Sequence, residues 1–514
     1  MLRNTENPAG WRKAAHAAML SVGLLAATTV GATAQQALTV AQAQDPGNLD
    51  PIDTFLLSWG SIGSNIFDGL VVRTEELVLE PALATSWDFS ADNKRIRFNL
   101  REGVTFHNGE PFNAAAVKFT FDRLLGEEGA KGPQQSNYVS IENVEIVDDL
   151  TVDFVMKSAD PVMLTKLSGY GAMIVPPAYL AEVGADAFDK KPVGTGPFKV
   201  VEYTPSQSVK LDANEAYWRG APKLDTLTYR FISEPSTRIA ELQSGGVDLA
   251  MNIPASSIDV LNGDDNVDLV SVPGPTVFFL RLKIADGPTS DVRVRQAINL
   301  AIDRQAIIDG LLGGEGTPIS SLQGTKSFGY DADLKGYDFD PEAAKALLAE
   351  AGHASGLEMT MDVRSDDATF KEVAQAITGY LGAVGIKVKL QLHESGVYWS
   401  EIVPKGQTGD MYAFAWGGWT FDFDNTAYLL YHSGEFWNPY IEDATLDALL
   451  EKQRQSYDAD LRQKTLSDVA RYSHENALEV PLYNTATMYG VRKNVQGFVA
   501  APDDRTRFAN VTVN

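Results

Sequence analysis

Residues 357–392 carry strand, helix and strand patterns in immediate succession, and this constrains the fold more than any other part of the chain. "LEMTMDV" alternates Leu357, Met359, Met361 and Val363 against polar neighbours, the period of a strand. "TFKEVAQAITGYLGAVG" then places Phe370, Val373, Ala374, Ile377, Leu381 and Val384 on one helical face. "IKVKLQL" returns to alternation with Ile386, Val388, Leu390 and Leu392. A strand–helix–strand unit of this length makes its strands parallel and its crossover right-handed. A further strand, "DMYAFAW" (410–416), follows.

Ligands of open α/β sheets bind outside the carboxyl ends of the strands. Arg364 lies just past the first of these strands, and "WGGWTFDFDN" (416–425) starts at the end of the last. Arg364 and the Trp/Asp cluster are therefore expected to share one crevice. Gly417 and Gly418 point to close backbone approach. In an extended segment Asp422 and Asp424 face opposite ways, so Asp422 is expected to line the cleft and Asp424 to lie outside the site.

Other units read locally. "KRIRFNL" (94–100) is a half-buried strand. "FNAAAVKFTFDRLL" is a helix capped by Asn113, with Val117, Phe121, Leu124 and Leu125 inward. Residues 292–312 read as one helix. "DFDPEAAKALLAEAG" is a helix capped by Asp340, with Pro341 in its first position and Gly352 at its end.

The chain has 514 residues, 44% hydrophobic and 10% aromatic, enough for roughly two to four domains and too aromatic for disorder. Arg12 and Lys13, an apolar run and Ala32-Thr33-Ala34 form a secretory signal pattern over residues 1–34, with cleavage near Ala34–Gln35. There is no cysteine, hence neither a disulfide nor a lipid-anchoring thiol. A freely diffusing periplasmic protein is expected. The formal charge of −25 disfavours nucleic acid and anionic membrane surfaces as partners.

Signals of chemistry are sparse. G-x-S-x-G is absent, the six histidines are scattered, and "HENAL" (474–478) lacks the second His of a zinc helix. "GLLGGEG" (310–316) has neither nucleotide-loop spacing and reads as a helix stop. "DADLKGYDFDPE" (331–342) resembles a calcium loop but puts Lys335 where a ligand oxygen is required. His432 reads as a polar group at a rim rather than a metal ligand. Asp422 and Asp424 do not converge as a glycosidase pair requires. Neither a catalytic residue, a metal nor a cofactor is expected.

Residues 83–125, "LATSWDFSADNKRIRFNLREGVTFHNGEPFNAAAVKFTFDRLL", closely resemble the signature region of the extracellular solute-binding proteins of family 5, which serve oligopeptide, dipeptide and nickel ABC importers. "PVGTGPFKVVEY" (192–203), "YWRGAPKLDTLTYRFI" (217–232), "RIAELQSGGVDLA" (238–250), "DVRVRQAINLAIDRQAI" (291–307) and "YDFDPEAAKALLAEAG" (337–352) match in order. Ala115-Ala116 depart from the family, where an Asp often precedes the helix. The resemblance implies an α/β, bilobed periplasmic-binding-protein fold with an extra inserted domain. The first lobe is expected at 35–70, 205–288 and 487–514, the extra domain at 71–204 and the second lobe at 289–486.

The resemblance also implies a function: capture of a solute without chemistry, and delivery to inner-membrane ABC permease subunits, by a monomer. In peptide-binding members the aspartate of "W-x-x-D" receives the α-ammonium group, a role that passes to Asp422 in "WTFD". Arg364 stands near the place of the arginine that binds the carboxylate in dipeptide binders. Buried charges need partners, and a guanidinium grips a carboxylate bidentately. Trp416, Trp419, Thr420 and Phe421 are expected to wall the site, with Trp59 on the opposite wall. The leading ligand class is a short peptide or an amino-acid conjugate such as glutathione or an opine. A sugar or oligosaccharide is the alternative, a nickel chelate the next, and a secreted hydrolase the outside one.

Overall fold

Strands Leu357–Arg364 and Ile386–His393 pair in parallel, from Leu357 opposite Ile386 to Arg364 opposite His393. Helix Ala368–Ala383 connects them, its N-terminus capped by the Asp367 side chain, which accepts from the Phe370 N–H. The helix buries Phe370, Val373, Ala374, Ile377 and Leu381 in a core shared with Leu280, Ile298 and Met361. Strand Met411–Gly417 lies parallel to Leu357–Arg364 and antiparallel to the long strand Val267–Leu282. Periodicity alone specified this part of the fold.

The computed structural model describes residues 36–54 and 56–514; the expected signal segment, 1–34, lies outside the described residues. One sheet runs from Ile386–His393 through Leu357–Arg364, Met411–Gly417, Val267–Leu282 and Glu479–Arg492 to Ala37–Gln42, ending at Phe198–Thr204. Its two long strands, Val267–Leu282 and Glu479–Arg492, are antiparallel partners whose register shifts between Pro273 and Val277. Pro273 and Pro275 donate no N–H and Gly274 carries no side chain, so the ladder breaks there. Below the break Val267–Pro273 pairs with Ala486–Arg492; above it Val277–Arg281 pairs with Glu479–Asn484. The change of register falls inside the strand.

The two halves of the sheet serve different cores. Leu38, Trp59, Phe67, Leu211, Tyr229 and Phe508 belong to one; Leu280, Val294, Met361, Val373 and Leu482 belong to the other. A third core is built on a separate antiparallel sheet of Ala84–Phe89, Arg95–Leu100, Thr151–Met156 and Ile141–Asp148. Helix Ala114–Leu125 covers it, capped by Asn113 as expected, and Phe121 meets Phe154 edge-on at 4.7 Å. Residues 292–312 form two helices rather than one, Val292–Leu300 and Arg304–Leu311. Asp303 divides them because its side chain caps the second, accepting from the Ala306 N–H. Asp340 caps Pro341–Glu350 as expected. Among the described residues no helix is long and apolar enough to cross a membrane.

Candidate ligand-binding site

The segment 416–425 leaves the end of its sheet strand through a tight turn. The Trp419 N–H donates to Gly417 O at 2.9 Å and the Phe421 N–H to Gly418 O at 2.7 Å. Phe421 takes φ +50°, a left-handed backbone that costs a side-chain-bearing residue on the order of 1–3 kcal/mol. The Gly418 N–H donates to Pro275 O at 3.0 Å, so the turn is anchored on the break in the long strand. Helix Phe423–Tyr431 follows, with Asp422 as its N-cap accepting from the Asp424 N–H.

Trp416 is half-buried in an aromatic group. It stacks on Phe414 at 6.0 Å, meets Trp437 edge-on at 6.0 Å, and its Nε1 donates to Asn425 Oδ1 at 3.3 Å.

Both aspartates are buried and paired. The Asp422 oxygens each lie 2.9 Å from Arg462 Nη2, and Arg462 in turn lies over the Phe328 ring. Burial pushes the Asp422 carboxyl up to about 6, against the pull of Arg462 and with the help of the Asp424 charge. Asp424 accepts from Arg454 Nε at 2.7 Å and Nη2 at 3.0 Å, and from Gln453. Burial opposes its ionisation most strongly, but Arg454, helped by the Lys166 and Arg462 charges, holds it below the ordinary carboxylate range. Asp424 therefore does not lie apart from the site as expected. The extended-chain argument fails because the helix begins at Phe423, and Asp424 turns with its first turn.

The other expected site residues are placed as follows. Arg364 donates to Asp366 at 2.9 and 3.0 Å and lies over the Phe370 ring at 5.1 Å, so its bonds stay on its own loop. Trp59 is fully buried in the core it shares with Leu38, Leu211 and Tyr229, 5.1 Å from the Tyr170 ring and 6.1 Å from Phe67. Gly63, one turn along its helix, leaves room for the indole to lie flat. Trp59 is thus a core residue rather than a cleft wall.

Trp419 and Thr420 meet the part of the chain that carries the third core. Arg73 donates to Thr420 O at 2.6 Å and to Trp419 O at 2.7 Å. The Trp419 ring covers Gly169, where a Cβ would approach it to 2.7 Å. A second contact joins the same parts of the chain: the Tyr457 ring lies 4.5 Å from Phe89, and the Asp160 N–H donates to Tyr457 Oη at 3.1 Å. A cavity of about 510 Å³ has Asn137, Lys157 and Lys166 on one wall and Thr420, Asn425, Tyr428 and Arg454 on the other. Each wall carries an ion pair, Lys166 with Asp160 at 2.7 Å and Arg454 with Asp424 at 2.7 Å. Such a lining offers both signs of charge, amide groups and one phenol, which suits a polar amphoteric solute more than a uniformly charged or apolar one. Sequence reasoning missed Arg454, Lys166 and Arg73, which reach the site from distant segments without a local pattern. Asn425 lay within the quoted stretch and carried no signal beyond its neighbours. Among the described residues no group of three His, Cys, Asp or Glu is placed to hold a metal ion.

The chain is similar to known proteins in sequence and in fold. Residues 78–438 match the profile of the bacterial extracellular solute-binding proteins, family 5. The chain is 29% identical to heme-binding protein A of Haemophilus influenzae over 89% of its own length and 88% of that protein's. It is 31% identical to the glutathione-binding protein GsiB of Pectobacterium atrosepticum over 73% and 72%. The structure of HbpA2 from Haemophilus parasuis superposes with a TM-score of 0.86 at 26% identity, covering 93% of this chain and all of that one. The fold is the two-lobed α/β architecture of periplasmic binding proteins of the family 5 type. The chain belongs to the bacterial extracellular solute-binding proteins of family 5.

Proposed function

We propose that this protein is the periplasmic capture component of an ABC importer, and that it closes its lobes on a short peptide or amino-acid conjugate and presents it to the membrane permease. The observation that carries the reading is the cavity between the inserted domain and the second lobe, with cationic, anionic and amide groups on facing walls, in a chain whose family consists of transport binding proteins. A peptide-like solute has an ammonium, a carboxylate and amides, and each meets its complement there. The glutathione-binding relative supports the same ligand class.

In this reading Thr420, Asn425, Tyr428 and Arg454 contact the solute, with Trp416 oriented behind Asn425. Asp422 holds the loop in shape through Arg462 rather than receiving an ammonium itself, because it is paired with Arg462 away from the residues that line the cavity, whereas Arg454 and Asp424 face it. Trp419 and Phe421 seal the closed state. Closure shifts a pre-existing equilibrium by the ligand's preference for the closed form, with the strand break at 273–277 as the flexing point. The protein acts as a monomer and by binding alone.

Calorimetric titration with reduced glutathione, dipeptides and tripeptides, alongside maltose, a nickel–histidine chelate and haemin, tests the reading. Saturable binding confined to peptide-like compounds is expected. Binding of only a sugar, chelate or haemin would overturn the ligand class, and turnover of any of them would overturn the binding-only function.

A further inference from the structure

Arg73 ends the three-residue strand Val71–Arg73 and is 3% exposed. Its guanidinium joins three distant segments. Nη1 donates to Thr420 O at 2.6 Å, Nη2 to Trp419 O at 2.7 Å, and Nη2 also to Asp503 Oδ2 at 2.7 Å. Arg505 occupies the same carboxylate, 2.5 Å from Asp503 Oδ2, and donates to Ser168 O at 2.5 Å. Two buried guanidiniums therefore share one carboxylate. The surplus positive charge is met by backbone carbonyls, and those that serve Arg73 belong to the second lobe. The Phe421 ring lies against the guanidinium at 5.0 Å, on the residue with the left-handed backbone.

We infer that Arg73 is a positioning residue for ligand retention: it latches the closed form by gripping the carbonyls of Trp419 and Thr420 across the cleft, while Asp503 keeps it in place when the lobes part. The inference rests on the proposed lobe closure. Its chemistry follows from what opening does to each partner. Asp503 and Arg505 lie in one segment and remain together. The two carbonyl contacts separate, and Arg73 is left facing water with one carboxylate already shared. Because Gly418 of the same turn is bonded to Pro275 at the strand break, gripping the turn also fixes the flexing point. Lysine does not replace this arginine, because one ammonium on a flexible stem does not present the planar fork that reaches both carbonyls and the carboxylate.

The test uses Arg73→Lys, which keeps the charge beside Asp503, and Gly169→Ala, whose Cβ crowds the Trp419 ring and the Lys166 carbonyl without touching Arg73. The chain has no cysteine, so a Val147→Cys, Leu392→Cys pair, at positions 48% and 56% exposed, takes fluorescent labels only there. Stopped-flow binding of reduced glutathione is expected to show at least tenfold faster dissociation for both variants, with association within about twofold of wild type, since retention depends on the closed population. Energy transfer without ligand is expected to show a smaller closed fraction in both. Unchanged dissociation together with an unchanged closed fraction in Arg73→Lys would overturn the latch. If wild type binds neither glutathione nor any dipeptide or tripeptide, the ligand class fails instead, and the ligand-free closed fraction still decides the latch.

Discussion

Asp422 and Arg462 form a closed, buried ion pair, each carboxylate oxygen 2.9 Å from one guanidinium nitrogen. The same aspartate caps helix Phe423–Tyr431. Asp422→Ala thus removes a cap and strands a buried cation at once. Breaking such a pair costs about 3–5 kcal/mol, and chemical denaturation is expected to show a loss of that size. Asp422→Ala with Arg462→Met is expected to recover more than half of it, since the double variant leaves no unpaired charge. If Asp422 were instead the ligand's ammonium site, Asp422→Asn would abolish binding while leaving stability nearly unchanged.

Asp504 supplies a pH dependence. It is buried with φ +60° and accepts from Tyr489 Oη at 3.0 Å. Burial pushes its carboxyl up to about 6, and the Asp503 charge adds to this. The unfolded chain ionises near 3.8, so between about pH 4 and 6 the native state holds a proton that the unfolded state has lost. The contribution of Asp504 is therefore fully present below about pH 4 and is lost as pH rises through 6, a change of about 3 kcal/mol. Denaturation midpoints across pH 4–8 measure it. Asp504→Asn is expected to flatten that part of the profile and to stabilise the protein at pH 8.

How much of this was legible depended on distance along the chain. The strand–helix–strand unit and the caps at Asn113 and Asp340 follow from neighbours within one or two turns, and the structure forms them where expected. The single helix expected over 292–312 failed on a local competitor, the cap at Asp303. Trp59 and Asp424 were misplaced for a different reason. Whether an aromatic residue faces a cleft or a core is settled by Tyr170 and Phe67, and whether an aspartate is bare is settled by Arg454. Neither partner is announced by periodicity. Arg73 carried no signal at all, as one arginine on a three-residue strand.

Asn425 separates ligand contact from architecture. It accepts from the Trp416 indole and faces the cavity. Asn425→Ala is expected to weaken solute binding about tenfold, which corresponds to about 1.4 kcal/mol, and to lower stability by less than about 1 kcal/mol. Paired calorimetric and thermal measurements check both. A large stability loss with unchanged affinity would assign Asn425 to the fold alone.

Asp340 serves as the opposite control. Its side chain caps Pro341–Glu350 through the Glu342 and Ala343 N–H groups. Asp340→Ala is expected to cost about 1 kcal/mol of stability and to leave solute affinity and dissociation rate unchanged, as read by denaturation and stopped-flow binding.

Native mass spectrometry of freshly purified protein tests the central claim most directly, because a solute retained between the lobes is read as added mass and identified by its fragments. The account predicts an adduct whose mass, and whose fragments after release, fit a short peptide or an amino-acid conjugate, displaced by excess reduced glutathione or dipeptide. An adduct identified as a sugar, a metal chelate or haem, and undisplaced by those compounds, would contradict it.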